Sequence, residues 1–321
     1  MNGQGHQLLL STSEVGDLLG VHASTVKRWA QQDLLTYSRT RGGHRRFHLR
    51  EVLEGAREQG IRTFLDRFHP WEANVWLALS AAGEQGDYSK LINLALSWLR
   101  QGDTDLLGHL FFEVAERGEI PFPTFLDHAV RGFMARVGEE WQAGRLQVGE
   151  EHMATEVIQE AFLRMRMARE ASPDSHSTRR EHPPVAVVGA AEGDQHDLGA
   201  RSIRAVLERN GWRVYFLGGN VPVEDFARIQ QAQVADLVCI SFPAFSTLPD
   251  LTRAMETLGR YYNVRSPYGL AIGGTFAGFR PGDLPSHPFD AFTVSDSAEH
   301  FQRWLQDHFP SSFNENTRRI A

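Results

Sequence analysis

Apolar positions along this chain change their period more than once. Over residues 12–59 they fall in short helical stretches: Val15, Leu18 and Leu19, then Val26 and Trp29, then a run that starts at Leu49. Thr12 is placed to cap the first helix, with Glu14 in its first turn, and Gly20-Val21 makes a tight turn before a second helix from Ala23. Residues 34–47 read instead as two short strands about a Gly42-Gly43 hairpin turn. From residue 71 to 171 the pattern is helical again, with Leu77, Leu91, Leu94, Leu99, Leu107 and Phe111 among its apolar faces. Gly86-Asp87, Gly102-Asp103 and Gly118 break it, and Pro121-Phe122-Pro123 precedes a further helix expected from Thr124. Four helices with short connections predict a compact bundle.

After Pro184 the pattern changes. Residues 185–188, Val-Ala-Val-Val, are an unbroken apolar run, as a strand buried on both faces should be. Strands near 185–190, 213–217, 236–241, 269–273 and 291–294 alternate with helices near 198–209, 223–232, 250–262 and 297–307, which predicts an open, flavodoxin-like α/β sheet. The expected organisation is a helix-turn-helix domain over 1–65, a helical bundle over 70–171, a polar linker over 172–184 with three prolines, the α/β domain over 185–310, and a tail over 311–321.

Composition narrows the function. At 321 residues the chain has room for two or three cores. No apolar run approaches the roughly 20 residues of a membrane helix, and the first residues carry no signal-peptide pattern. The single cysteine, Cys239, excludes an intrachain disulfide and any cysteine-based metal cluster, so a cytoplasmic protein is expected. Residues 1–62 hold nine Lys/Arg against six Asp/Glu, which is +3 and leaves −10 for the rest of a chain whose net charge is −7. A basic end on an acidic body points to a polyanionic partner. The second helix offers Ser24, Thr25, Lys27, Arg28 and Gln31 on its outer side, and Arg39, Arg41, His44, Arg45 and Arg46 surround the hairpin. Two short helices joined tightly form a helix-turn-helix, whose second helix enters the major groove of double-stranded DNA, and a basic wing clamps phosphates beside it. With its Arg41-Gly42-Gly43-His44-Arg45-Arg46-Phe47 wing, the stretch over residues 8–60 resembles the MerR-type winged helix-turn-helix.

The α/β domain carries the most specific chemistry. Its first strand runs into a polar loop, Asp194-x-His196-x-x-Gly199, and then into a helix. A neutral imidazole on such a loop can reach a metal lying above the sheet's carboxyl edge. A carboxylate two residues earlier can take the ring's other N–H, and Gly199 leaves space for a buried ligand tail. The loop resembles that of cobalamin-binding domains, in which the corrinoid binds with its own nucleotide base displaced. The same domains have a Ser at one strand end and Gly-Gly at another, and here Ser241 and Gly273-Gly274 stand at such positions. The resemblance implies His196 as the lower axial ligand of cobalt.

One further segment extends the resemblance. Trp141 is followed ten residues later by Glu151-His152, similar to the Trp-x9-Glu-His motif of the helical domain that covers adenosylcobalamin in CarH-type light-sensing repressors. It implies Trp141 over the upper face of the cofactor, with Glu151 and His152 near the adenosyl group. Members of that group commonly have a His directly after the Trp, which ligates cobalt after illumination; here the residue is Gln142, a poor cobalt ligand, and water, His152 or another group would take that position. The expectation is a non-enzymatic, light-responsive repressor that uses adenosylcobalamin and is a DNA-bound homotetramer in the dark. A light-independent cobalamin sensor and a corrinoid carrier serving an enzyme are alternatives, and a further one has another tetrapyrrole, such as haem or a bilin, bind as well. A carrier's partner barrel would need about 250 residues, for which this chain has no room.

Overall fold

A computed structural model describes residues 8–171, 182–274, 284 and 286–310. The expected tail and nearly all of the expected linker lie outside the described residues. The chain divides into two compact units, Met1–Glu113 and Val114–Ala321, and among the described residues no helix is long and apolar enough to cross a membrane.

The first unit opens with β1 (Leu9–Leu10), α1 (Thr12–Leu19), α2 (Ala23–Gln31), the hairpin β2 (Ser38–Arg39) and β3 (Arg45–His48), and α3 (Leu49–Glu58). The cap of α1 is Ser11, not Thr12. Its hydroxyl accepts the Glu14 N–H while the Glu14 carboxylate accepts the Ser11 N–H at 2.6 Å, so two free amides are satisfied reciprocally. The turn into α2 closes with the Val21 N–H on the Gly16 carbonyl at 2.9 Å. Val15, Leu18, Leu19, Val26, Ala30, Phe47 and Val52 make the core. Trp29 was expected among them and is only half-buried; Ala30 is the inward residue of the last turn of α2. The hairpin gains a strand that the pattern did not reveal. β1 pairs with β3, Leu10 opposite Phe47, giving a three-stranded antiparallel sheet in the order β1-β3-β2.

Beyond α3 lie α4 (Glu72–Gln85), α5 (Ser89–Gln101) and α6 (Thr104–Glu116). The division between units falls inside α6, within the stretch expected to form a single bundle. Trp98 of α5 stacks on Phe68 and meets Trp71 edge-on, so α4 and α5 share their core with the turn that follows α3.

After the end of α6, the second unit has a long helix in three parts: α7 (Phe122–Thr124), a π-helical stretch (Phe125–Val130) and α8 (Arg131–Gln142). It starts before Thr124, because a proline in the first turn loses no hydrogen bond there. α9 (Val148–Ala171) returns. The buried Glu140 holds the corner between α8 and α9, accepting two hydrogen bonds from Arg145 at 2.7 and 3.0 Å and pairing with Arg136 at 2.9 Å.

The α/β part follows: β4 (Val185–Ala190), α10 (Leu198–Arg209), β5 (Arg213–Phe216), α11 (Val223–Gln233), β6 (Leu237–Ser241), α12 (Leu248–Tyr261), β7 (Gly269–Gly273), β8 (Phe292–Ser295) and α13 (Ala298–His308). All strand pairs are parallel, in the order β5-β4-β6-β7-β8. The first strand sits inside the sheet and the order reverses between β4 and β6, which is where open α/β sheets hold ligands. Val187, Val238, Ile240, Leu270 and Ile272 bury one face against Phe226, Leu251, Met255 and Leu258.

Gly16 is the most tightly packed described glycine of the first unit: a Cβ there would lie 2.7 Å from the Val21 carbonyl oxygen, a backbone atom that cannot swing aside. Gly16→Ala should therefore destabilise the first unit by about 1–3 kcal/mol, as overpacking does. Urea unfolding of the full chain measures this, and an unchanged midpoint would show that the turn can relax.

Candidate functional site

Register sets the site. Ala190 pairs with Ser241, Ser241 with Gly273, and Gly273 with Ser295, so four strand ends form one row at the carboxyl edge. Beneath and beside this row lies a cavity of about 690 Å³. Its floor is apolar, with Val188, Cys239, Ile240, Ala271 and Ile272. Burial pushes the Cys239 thiol well above its usual range, so it stays protonated and acts as a small apolar group.

The loop from β4 to α10 is pinned by its own backbone. The Ala191 N–H donates to the Ser241 carbonyl at 2.8 Å, and the Asn220 N–H to the Asp194 carbonyl at 2.8 Å. The Gly193 N–H is held by the Asn220 side chain at 2.9 Å. Asp194 is 6% exposed, and desolvation raises its carboxyl above the ordinary carboxylate value. The Asp194 carboxylate accepts the backbone N–H of His196 at 3.0 Å. The sequence suggested that this carboxylate would take the imidazole N–H; here it fixes the loop beneath an exposed imidazole.

Asp197 begins α10 and accepts two hydrogen bonds from Arg201, both at 2.8 Å. Two residues on, Gly199 lies against Ser241: a Cβ there would be 3.1 Å from the hydroxyl oxygen. The first turn of α10 thus approaches the end of β6 with only a hydrogen atom between, and the cavity opens beside that contact.

Asp194, His196, Gly199, Ser241, Gly273 and Gly274 all line this cavity. Trp141, Glu151 and His152 do not. Trp141, in the last turn of α8, has 46% of its surface exposed, and the His152 imidazole lies 3.6 Å from the Glu151 carboxylate near the start of α9. Sequence reasoning missed a whole wall: Leu126, Asp127, Val130, Arg131 and Met134 come from the long helix, and Ser295, Ser297 and Phe301 from the β8–α13 turn. Ser295 could have been found, because it directly follows a predicted strand, 291–294; the helical residues carry no such mark.

In the first unit the basic side chains sort by burial. Ser24, Lys27 and Arg28 on α2 are exposed, Thr25 half-buried. In the wing Arg39, Arg41 and His44 are exposed, while Arg45 and Arg46 are half-buried. The Arg45 guanidinium lies 5.0 Å from the Tyr37 ring centre, and Arg46 lies 3.9 Å from Glu14. Hydrogen bonds from Arg39 and Arg45 hold the Tyr37 phenol below its usual pKa.

Comparison with known proteins finds matches over three stretches of the chain. Residues 184–300 match a family described as B12 binding domain, residues 91–164 match a second family with that description, and residues 9–60 match a helix-turn-helix domain family. The dimethylamine corrinoid protein 3 of Methanosarcina acetivorans is 25% identical over 158 residues, covering 49% of this chain and 71% of that protein. The HTH-type transcriptional repressor CarH of Myxococcus xanthus is 27% identical over 138 residues, covering 42% of this chain and 43% of the repressor. Among solved structures, the monomethylamine corrinoid protein of Methanosarcina barkeri aligns with a TM-score of 0.49 at 18% identity, over 66% of this chain and 95% of that one. The chain carries B12-binding domains together with a helix-turn-helix domain.

Gly199→Val should close the cavity mouth against Ser241 and weaken cobalamin binding by about tenfold to a hundredfold, the equivalent of 1–3 kcal/mol of overpacking. Equilibrium titration with hydroxocobalamin reads this directly, and an undiminished affinity would place the ligand elsewhere.

Proposed function

We propose that the chain is a cobalamin-dependent transcriptional regulator of the CarH type. In this reading it binds operator DNA through a MerR-like winged helix-turn-helix domain over residues 1–65. It binds adenosylcobalamin through the α/β domain over residues 185–310, and residues 70–171 cover the cofactor's upper face. The observation that carries the reading is a cavity at the sheet's switch point with an exposed imidazole at its mouth, on a chain that also has a helix-turn-helix domain.

The residues present fit the group. A corrin with its own base displaced needs an imidazole from outside, and His196 stands exposed on a loop held rigid from below. A displaced nucleotide tail needs a deep and mostly apolar slot, and the cavity supplies one beside the Gly199–Ser241 contact. Through the cobalt–carbon bond that visible light breaks, bound adenosylcobalamin supplies the light sensitivity. The chain's own residues do the rest. His196 would ligate the cobalt, Trp141, Glu151 and His152 would guard the adenosyl group, and dark association as a homotetramer would hold several helix-turn-helix copies on one operator, where each copy raises the effective concentration of the next.

A corrinoid carrier would share the α/β domain, and the similarity to the dimethylamine corrinoid protein is as close as that to the repressor. The helix-turn-helix domain favours a regulator. Gln142 favours a second reading, a cobalamin sensor that ignores light, because an amide is a poor replacement for imidazole at cobalt.

Loaded with adenosylcobalamin in the dark, the protein should elute as an oligomer and shift to a smaller species after green light; an unchanged elution volume would favour the light-independent sensor. His196→Ala should change the bound cobalt spectrum to that of a base-off corrinoid, and an identical spectrum would remove His196 as the ligand. In the wing, Arg41→Ala should reduce the slope of log affinity for operator DNA against log salt by about one, the signature of a lost phosphate contact. Arg45→Ala should lower the stability of the wing, since Arg45 packs on Tyr37; an unchanged slope for Arg41→Ala would mean that the hairpin tip does not reach the backbone.

A further inference from the structure

The helical wall of the cavity is built more firmly than a wall requires. Asp127, in the π-helical stretch, is 8% exposed and commits both carboxylate oxygens to the start of α13, accepting the Ala298 N–H at 2.9 Å and the Glu299 N–H at 3.0 Å. Arg131 donates to the Asp296 carbonyl at 2.7 Å, and the Thr124 hydroxyl donates to the Glu299 carboxylate. Three side chains of one helix therefore grip a single turn, residues 296–299.

α13 does not need this grip in order to begin. Its own N-cap, Ser297, already accepts the His300 N–H at 3.1 Å. A carboxylate arriving from 171 residues away adds acceptors for the first two amides, where negative charge is favoured. What it achieves is a join. The gripped turn lines the cavity through Ser295, Asp296, Ser297 and Ala298, and the gripping helix lines it through Leu126, Val130 and Met134 before running on to Trp141. A π stretch in an otherwise α-helical element is a common mark of a functional position, and here it falls at the grip.

We propose that Asp127 is a positioning residue that couples the filling of the slot by the corrinoid's nucleotide tail to the helix that carries Trp141. This rests on the corrinoid reading above. A tail in the slot orders the turn at residues 295–298 from one side. Asp127 holds the same turn from the other, so the order passes into α8. The upper-face residues then respond to what lies under the sheet edge as well as to what lies above the corrin.

Hydrogen exchange of the full-length protein tests this, with adenosylcobalamin in the dark and with adenosylcobinamide, which has the same upper ligand and no nucleotide tail. In the wild type, the tail-bearing corrinoid should slow exchange across α8 about tenfold more than the tail-less one, as coupled local opening predicts. In Asp127→Asn, compared at saturating concentrations of each corrinoid, that extra protection should shrink to about twofold or less, an effect that loss of a purely structural bond would not produce. Should Asp127→Asn fold poorly, Arg131→Gln removes the exposed partner of the grip and should move the protection in the same direction. Equal protection by both corrinoids in the wild type, or undiminished tail-dependent protection in a folded variant, would overturn the coupling alone. Failure of the wild type to bind either corrinoid would overturn the coupling and the corrinoid reading together.

Discussion

The close approach of α10 to β6 is the constraint on which the site depends. Gly199 lies so near Ser241 that even a methyl group would press on the hydroxyl at 3.1 Å. That contact fixes the height of the first turn of α10 above the sheet edge. The height in turn sets where the preceding loop ends and where its imidazole emerges. Asp194 completes the arrangement from within: its buried carboxylate accepts the His196 amide, so the loop's shape is set by backbone bonds before any ligand arrives. Preorganisation of this kind lowers the ordering cost of binding, because the loop does not have to be frozen when the ligand docks.

The parallel sheet was legible because its inner strands, β4, β6 and β7, are buried on both faces. Such strands read as short unbroken apolar runs, and their carboxyl ends are where chemistry collects, so Asp194, His196, Ser241 and Gly273 could be named from the sequence alone. Helix ends were harder. Ser11 and Thr12 are both capable caps, and only the reciprocal bond with Glu14 decides for Ser11. Trp29 read as core because it is large and apolar, yet in so short a helix the inward position falls to Ala30. Asp127 was not legible at all. Its partners lie 171 residues away, and an acidic residue in a helix ordinarily reads as a solvated face. The π stretch that holds it leaves no periodic mark in six residues.

The basic wing shows how far residue type underdetermines role. Five cationic candidates look alike in sequence, and folding divides them. Arg45 and Arg46 are drawn into the hairpin's own packing by Tyr37 and Glu14 and Arg39 also bonds Tyr37, while Arg41 and His44 stay exposed to solvent or a polyanion. A guanidinium stacked on a ring keeps its charge and so still adds to the field of the domain. The overall electrostatic attraction to DNA therefore draws on all of them, whereas discrete phosphate contacts fall to the exposed tip.

Every residue that lines the cavity belongs to the second unit, Val114–Ala321. A ligand there stabilises that unit by mass action, in proportion to the logarithm of its concentration over its dissociation constant, and this alone shifts no equilibrium in a separately folded domain. Control of DNA binding requires a second state whose affinity for the ligand differs. Subunit association supplies such a state in the proposed reading. If copies associate only when the helices around Trp141 are held in one arrangement, ligand binding and association become linked, and linkage is reciprocal: whatever loosens that arrangement weakens both. The grip of Asp127 on the β8–α13 turn, shared with Thr124 and Arg131, holds a cavity wall and that helical arrangement together, so it is there that the two equilibria would be tied.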